Sequence, residues 1–182
     1  MIRWEVMAQT SELTISRCYG TGDVSVEIEQ SSANGGQAGG MIGVADFVEI
    51  NDCFALGNVF VGYVSGFTSN KSLNAGGLCG QMYLTELTNC YAAGDVIAEA
   101  TDPSSSVQCR TYVGGLAGAQ DTVYNCYRLN QKVTGHRATI FAGGQQVSDP
   151  YVQSSYPSFD FTSTWTFTEG AFRGLPHLQC QK

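Results

Sequence analysis

The stretch GGLCGQMYLTELTNCYAAGDV, residues 76–96, decides the fold, because its elements recur in the same order on both sides of it. Its first half, GGLCG, has counterparts in GGMIG at 39–43 and GGLAG at 114–118, whose starts lie 37 and 38 residues apart. Its second half is a cysteine followed by an aromatic residue, and four such pairs occur at steps of 35, 37 and 36 residues: Cys18-Tyr19, Cys53-Phe54, Cys90-Tyr91 and Cys126-Tyr127. Periods of about 20 to 50 residues are typical of arrays in which each unit packs against its neighbours.

Short pieces of the repeat alternate apolar and polar residues, as in DVSVEI at 23–28, and no long window has helical spacing. The chain has 22 glycines and only 4 prolines, which indicates many tight turns between short strands. We expect three strands per repeat: one at Gly-Gly-Leu-x-Gly, one ending at the Cys-aromatic pair and one beginning at Gly-Asp-Val. The sequence thus predicts an all-β, right-handed parallel β-helix of four to five three-stranded coils.

This ordered set of elements resembles the GLUG motif, a short repeat found in bacterial surface and secreted proteins, over about residues 13–145. The resemblance implies a structural repeat, an extracellular or cell-surface location and no catalytic activity. It makes residues 13–145 a repeat solenoid, and 1–12 either an N-terminal cap containing Trp4 or the truncated end of an earlier coil. The implied structural positions are the second glycine of each core, the cysteine and the aromatic residue: Gly40, Gly77, Gly115, Cys18, Cys53, Cys90, Cys126, Tyr19, Phe54, Tyr91 and Tyr127.

After residue 145 the repeat decays and aromatic residues become dense. We interpret residues 146–182 as an aromatic-rich C-terminal cap whose rings cover the last coil. The run from Phe159 to Leu178 resembles the tail that often follows GLUG repeats. Dense rings can also stack on sugars, so a carbohydrate site is the alternative. The aromatic residues are Tyr151, Tyr156, Phe159, Phe161, Trp165, Phe167 and Phe172.

Seven cysteines raise the possibilities of a disulfide framework or a metal site. The odd number, the absence of a C-x-x-C spacing and the position of both histidines outside the repeat register argue against these. We favour a column of buried, reduced thiols at the repeat position, with no metal and no cofactor. If a disulfide forms, Cys109 and Cys180 are the expected pair, because they lie outside the motif.

An aliphatic residue stands three positions before each repeat cysteine, and both columns are expected to be buried. Positions three apart face opposite sides of a straight strand. We therefore expect a bend between them, near Asn51-Asp52, Thr88-Asn89 and Tyr124-Asn125, where a short polar side chain can satisfy backbone groups. Without that bend, the aromatic residues would lie inside and the cysteines outside.

A polar column, aligned as Asp23, Asn58, Asp95 and Gln131, follows the cysteines. Stacked carboxylates can bind Ca²⁺ or act as an acid/base pair in a sugar-processing enzyme. Gly-Asp and Gly-Asn are also what a turn before a strand requires, and we favour that interpretation.

The formal net charge of −7 and nine scattered Lys and Arg residues argue against a nucleic-acid ligand. No apolar run approaches the ~20 residues of a membrane span. The start, MIRWEVMAQ, does not have the pattern of a signal peptide, so we expect either a piece of a longer secreted polypeptide or a different route.

Three spacers between the half-motifs differ in length, at 27–38, 60–75 and 97–113. Insertions in a solenoid protrude on one side, so these spacers form the expected recognition surface, with Lys71, Asp102 and Arg110 as candidate binding residues. The sequence thus favours a non-catalytic structural or adhesive module of a larger surface or secreted protein, with a glycan or a surface protein as ligand. The alternatives are a carbohydrate-active β-helix lyase or hydrolase, and a structural component of a virion or appendage.

Overall fold

The computed structural model of the protein describes residues 13–28, 35–63, 72–100, 110–119, 122–129 and 132–179. The predictions made for residues 1–12, Lys71, Asp102, Cys109 and Cys180 fall outside these ranges. The described chain is all-β, apart from two short 3₁₀ helices at Gln153–Ser155 and Phe172–Gly174. Its repeats form parallel strands in five stacked sheets, an arrangement compatible with a β-helix.

We name the five sheets A to E. Sheet A contains Leu13–Ser16, Val48–Asn51, Glu86–Thr88 and Thr122–Tyr124. Sheet B contains Tyr19–Gly20, Phe54–Ala55, Tyr91–Ala92, Tyr127–Leu129 and Gln145–Val147. Sheet C contains Val24–Ile28, Val59–Tyr63, Val96–Ala100 and Val133–Gly135.

Sheet D contains Gly36–Gly39, Ser72–Gly76, Arg110–Gly114 and Ala138–Phe141. Sheet E contains Ile42–Asp46, Cys79–Tyr83 and Ala117–Ala119. An antiparallel pair, Trp165–Thr166 with His177–Leu178, lies in the C-terminal segment. Each complete repeat therefore contributes five strands. The prediction of three was wrong because the Gly-Gly-Leu-x-Gly core and the bend before the cysteine each divide a predicted strand in two.

Strand pairing joins equivalent positions of successive repeats. Ile15 pairs with Ile50, Ile50 with Leu87, and Leu87 with Val123, all in parallel. The aliphatic column expected from the alignment on cysteine is therefore a physical column. Gln145–Val147 adds a fifth strand to sheet B beyond Tyr127–Leu129, so the described residues contain four repeats and the start of a fifth.

The predicted bend before each repeat cysteine is confirmed. The preceding residue has a left-handed backbone in all four repeats: Arg17, Asp52, Asn89 and Asn125, with φ between 51° and 55°. Asp and Asn tolerate this conformation better than other non-glycine residues. One left-handed residue breaks the alternation of side chains, which lets the aliphatic column and the cysteines at 53, 90 and 126 both face the interior.

A second left-handed corner joins sheets E and A, and the sequence analysis missed it. Phe47 and Leu84 have φ values of 56° and 46° there. Thr85 then follows Leu84 as Cys90 follows Asn89, and its hydroxyl donates to the carbonyls of Tyr83 and Ala45 at 3.1 and 3.0 Å. This corner lies between the strand that follows the Gly-Gly-Leu-x-Gly core, Cys79–Tyr83, and the strand before the repeat cysteine, Glu86–Thr88.

The Gly-Gly-Leu-x-Gly core is a corner between sheets D and E where backbones approach closely. A Cβ on Gly80 would lie 2.6 Å from the carbonyl oxygen of Gly43 and 2.7 Å from the amide nitrogen of Ala38. A Cβ on Gly77 would lie 2.1 Å from the carbonyl oxygen of Gly115 in the next repeat. The glycines are thus required by the stacking of backbones at this corner.

The repeats enclose two apolar cores. One lies between sheets A, B and E and includes Ile50, Leu87, Cys53, Cys90, Leu78 and Leu116. The other lies between sheets C and D and includes Val59, Val61, Leu73, Val96 and Val113. Leu78 and Leu116, the leucines of the Gly-Gly-Leu-x-Gly cores, are fully buried and so help to seal the first core.

The C-terminal segment covers more than the last coil that it was predicted to cover: its rings lie along the outer face of sheet B, from the first repeat to the fourth. Each aromatic residue of that sheet directly follows a repeat cysteine, so its ring points away from the cysteine column and forms a column with its counterparts. Phe172 lies edge-on to Tyr19 of the first repeat at 5.6 Å between ring centres, and Phe159 packs on Tyr127 of the fourth at 5.1 Å. A third core results, and its C-terminal members include Tyr156, Phe159, Trp165, Leu175 and Leu178.

Candidate functional site

The connections from sheet C to sheet D share one side of the repeats. Ile28, Tyr63 and Ala100, the last residues of three sheet C strands, occupy one register position. Gly36, Leu73 and Thr111 in sheet D also share one. All three predicted spacers therefore begin at the same register position at the end of sheet C and end at the same register position at the start of sheet D.

The fourth connection shows how short this link can be. Strand Val133–Gly135 and strand Ala138–Phe141 are joined by His136 and Arg137 alone, with Arg137 in the left-handed region at φ 49°. Two residues are therefore enough to join sheet C to sheet D. The extra length of the first three connections is an addition to the fold and is not required by it.

Arg110 is the one proposed ligand-binding residue within the described ranges. It is exposed and begins the strand Arg110–Gly114, opposite Ser72. The expectation that it lies in a spacer, outside the strands, was wrong, because pairing with Ser72 extends the sheet by one residue. Arg110 therefore lies at the end of the third connection between sheets C and D, beside Ser72 at the end of the second connection.

The polar column is a ladder of side-chain to backbone hydrogen bonds. The Asp23 carboxylate accepts from the amide of Asn58 at 2.7 Å, and the Asn58 amide oxygen accepts from the amide of Asp95 at 2.9 Å. The Asp95 carboxylate accepts from the amide of Lys132 at 2.8 Å. The fourth member is Lys132 and not Gln131 as aligned, because the fourth repeat is one residue longer there. This geometry supports the turn interpretation.

The repeat cysteines form a second ladder. The backbone amides of Cys18, Cys53 and Cys90 each donate to the thiol sulfur of the next repeat's cysteine, at 3.3 to 3.4 Å. Each thiol in turn donates to the carbonyl oxygen two residues before it, such as Thr88 for Cys90 at 3.3 Å. Burial raises the pKa of the Cys90 thiol well above its ordinary value. The predicted buried column holds for three members, whereas Cys18, at the end of the stack, is exposed.

Cys79 lies outside this column, in sheet E. Its thiol is fully buried, and burial raises its pKa to about 12. Its sulfur donates to the carbonyl oxygen of Gln81 at 3.1 Å. The pairing places it between Ile42 and Ala117, so an apolar residue occupies this position in the neighbouring repeats. Cys79 is therefore a packing residue.

The described histidine of the tail, His177, is also structural. Its ring is buried, stacks on Phe172 at 4.8 Å and has Nε2 3.0 Å from the hydroxyl of Thr168.

Among the described residues, no three His, Cys, Asp or Glu side chains converge on a point that could hold a metal ion. Within the same ranges, no helix has the length and apolar character needed to cross a bilayer.

Sequence reasoning missed an exposed apolar ridge at the corner between sheets E and A. We define the ridge as Val44, Phe47, Tyr83 and Leu84, of which Phe47 is the most exposed at 62%. The Phe47 and Tyr83 rings contact each other edge to face, with 5.8 Å between their centres. Neither phenylalanine nor leucine is typical of a left-handed turn. The sequence signal for this corner is Thr85, which follows Leu84 as Cys90 follows Asn89.

Comparison with known proteins identifies the motif. Residues 72–97 match the family model described as the GLUG motif, which confirms the resemblance inferred for this repeat. The matched span runs from the sheet D strand Ser72–Gly76 through the Gly-Gly-Leu-x-Gly corner to the start of the sheet C strand Val96–Ala100. No curated protein and no solved structure matches the chain.

Proposed function

We propose that this chain is a right-handed parallel β-helix of five-stranded coils that binds a ligand without turnover, as a structural or adhesive module of a larger cell-surface or secreted protein. The observation that carries the proposal is the shared origin of the three long connections. The ends of three insertions of different length are anchored one above another on rigid strands, so the proposed recognition surface is assigned to these insertions. A glycan or a surface protein is the proposed ligand.

The polar residues of the repeat consensus support binding rather than catalysis. Asp23 and Asp95 each accept a backbone hydrogen bond from the next repeat through one carboxylate oxygen. A carboxylate that serves as a general acid or base must instead face the substrate. The thiols of the cysteine column likewise form hydrogen bonds to backbone groups of the fold. The proposal therefore places ligand recognition in the connections, outside the consensus.

The GLUG motif at 72–97 supports the proposed location, because such repeats are found in surface and secreted proteins. Right-handedness is proposed from the general rule that crossovers between parallel strands of one sheet are right-handed. The competing proposals remain a carbohydrate-active β-helix enzyme and a component of a virion or appendage.

A loop-replacement experiment tests the binding function. In the variant, residues 99–110 are replaced by His-Arg, the link of the fourth repeat, since Ala98 pairs with Gly135 and Thr111 with Ala138. We expect unchanged cooperative unfolding and loss of the binding that the wild type shows on glycan arrays or to surface-protein extracts. Single changes of Lys71, Asp102 and Arg110 to Ala then locate the site more closely. The matched control is Glu49→Gln, at an exposed position in sheet A.

The enzyme alternative gives an opposite result. Incubation with neutral and acidic polysaccharides would then release new reducing ends or unsaturated products, and Asp95→Asn would abolish them. Turnover of this kind would refute the proposal. So would undiminished binding by a folded loop-replacement variant.

A further inference from the structure

We propose that Cys18 and Cys53 form a dithiol site at the exposed Cys18 end of the described cysteine column, where a small-molecule disulfide oxidises them to an intramolecular disulfide. The inference is independent of the proposed binding function. It rests on the difference between the end of the column and its interior. Cys18 is exposed, whereas Cys53, Cys90 and Cys126 are buried.

The geometry of the two strands suits a disulfide. Cys18 and Cys53 lie between the register pairs Ser16 with Asn51 and Tyr19 with Phe54, so they are direct neighbours in successive repeats. Neighbouring strands lie about 4.8 Å apart, inside the Cα–Cα range of about 4.4–6.8 Å that disulfides use. The Cys18 amide nitrogen is 3.3 Å from the Cys53 sulfur.

The hydrogen bond that Cys18 loses on oxidation is weakly held. Its thiol donates to the carbonyl oxygen of Ser16 at 3.4 Å in an exposed position, where water can take its place. The Cys90 thiol donates to the buried carbonyls of Thr88 and Ile50 at 3.3 and 3.5 Å. A disulfide that includes Cys90 would remove these two buried thiol contacts, although the Thr88 carbonyl would still accept from the Asp52 amide at 3.0 Å. The end pair is therefore the one that can be oxidised in the folded protein.

The two thiols also differ in ionisation. Hydrogen bonding with the Cys90 side chain is the largest cause of a lowered pKa at Cys53, which favours its thiolate. Partial desolvation, followed by the influence of Cys53, raises the pKa of Cys18. Cys18 is thus the accessible thiol, and Cys53 is the better internal nucleophile.

The reaction proceeds by two thiol–disulfide exchanges with a disulfide RSSR. The Cys18 thiolate attacks one sulfur, forms the mixed disulfide Cys18–S–S–R and releases RS⁻. The Cys53 thiolate then attacks the Cys18 sulfur, forms the Cys18–Cys53 bond and releases the second RS⁻. The protein loses two protons and two electrons, and RSSR is reduced to two RSH.

Peptide mapping of the native protein tests this directly. Trypsin cleaves after Arg17 and next after Lys71, so the peptide 18–71 contains Cys18 and Cys53 and no other cysteine. After incubation with oxidised glutathione at neutral pH and alkylation of the remaining thiols, we expect this peptide to be about 2 Da lighter than its reduced form and unalkylated. The peptide 72–110, which contains Cys79, Cys90 and Cys109, and the peptide 111–128, with Cys126, report on the interior thiols and should not form a disulfide involving Cys90 or Cys126.

Two variants complete the test. Cys53→Ser should accumulate a stable glutathione adduct on Cys18, and Cys18→Ser should stop oxidation of peptide 18–71. A wild-type protein that retains the adduct on Cys18, or that forms the disulfide only in denaturant, would overturn the proposal. The wild-type map decides the question even if either variant is destabilised.

Discussion

The indole nitrogen of Trp165 donates a hydrogen bond to the Asp52 carboxylate at 3.3 Å, across 113 positions of the chain. Asp52 is the left-handed corner residue of the second repeat, and Trp165 is fully buried against Phe54 and Tyr91. One side chain therefore ties the C-terminal segment to a corner in the middle of the stack. Arg173 makes a similar link to the carbonyl oxygen of Leu56 at 3.2 Å.

Replacement of Trp165 measures how far this segment stabilises the repeats. We expect Trp165→Ala to lower the free energy of unfolding by about 3–5 kcal/mol, as for other buried large aromatics. Trp165→Phe keeps a ring and loses the donor to Asp52, so it should cost less. Tyr151→Ala, at an exposed ring of the same segment, is the control and should change stability by less than about 0.5 kcal/mol in urea unfolding.

Two glycine substitutions separate packing from conformational preference. Gly80→Ala should destabilise by about 1–3 kcal/mol or more, because its Cβ would meet the backbone of sheet D and the carbonyl of Gly43. Gly22→Ala meets no atom within 4 Å and should leave the urea midpoint nearly unchanged. Equal effects of the two changes would show that the Gly-Gly-Leu-x-Gly corner is looser than described.

The cysteine ladder predicts an unusual order of substitutions at Cys90. A serine hydroxyl can still donate to the Thr88 carbonyl and accept from the Cys53 amide, as Thr85 does with an oxygen at the equivalent corner. Alanine leaves the buried Cys53 amide without its acceptor, at a cost of about 1–3 kcal/mol. We therefore expect Cys90→Ser to unfold at higher urea concentration than Cys90→Ala, and the reverse order would contradict the ladder.

Asp95 offers a similar contrast in the polar column. Asp95→Asn retains the oxygen that accepts from the Lys132 amide, just as Asn58 does for Asp95, so stability should change little. Asp95→Ala removes the acceptor and should cost about 0.5–1.5 kcal/mol. Thermal unfolding of both variants checks this. If Asn and Ala are equally damaging, the negative charge matters more than the hydrogen bond.

Stability should fall in alkaline solution, in part because of Cys79. Burial raises the pKa of this thiol from 9.0 to about 12 in the folded state. Between these values the unfolded chain loses the proton while the folded chain keeps it, so rising pH favours unfolding by up to about 1.4 kcal/mol per pH unit. Below pH 9 the contribution is constant.

The variant Cys79→Ala isolates that contribution, since alanine occupies the same register position at Ala117. Buried Cys90 and Tyr91 have raised pKa values as well, so the wild type and the variant should both lose stability, with a shallower slope in the variant. Urea unfolding at several pH values above about 9 measures the two slopes. Parallel slopes would assign the alkaline loss to other groups.

The repeat and its period could be predicted from the recurring motif. The bend before each cysteine could be predicted because two positions three residues apart were both expected to be buried, and because Asn and Asp residues lie between them. The second corner could not, since Phe47 and Leu84 do not favour a left-handed backbone. The fourth member of the polar column was misassigned because one additional residue shifts the register. The density of rings after residue 150 indicated a covering role, but the surface covered depends on contacts such as Trp165 with Asp52, which are remote in sequence.

Because the C-terminal segment packs on the outer face of sheet B, that face stays uncovered while the protein is being translated. Tyr19, Phe54, Tyr91 and Tyr127 leave the ribosome before the rings that cover them, by 165 − 54 = 111 residues in the case of Phe54 and its partner Trp165. The repeats can stack as they emerge, because each contacts only its neighbours. Throughout that interval their outer aromatic column faces solvent and is open to chaperones or to the same column of another nascent chain.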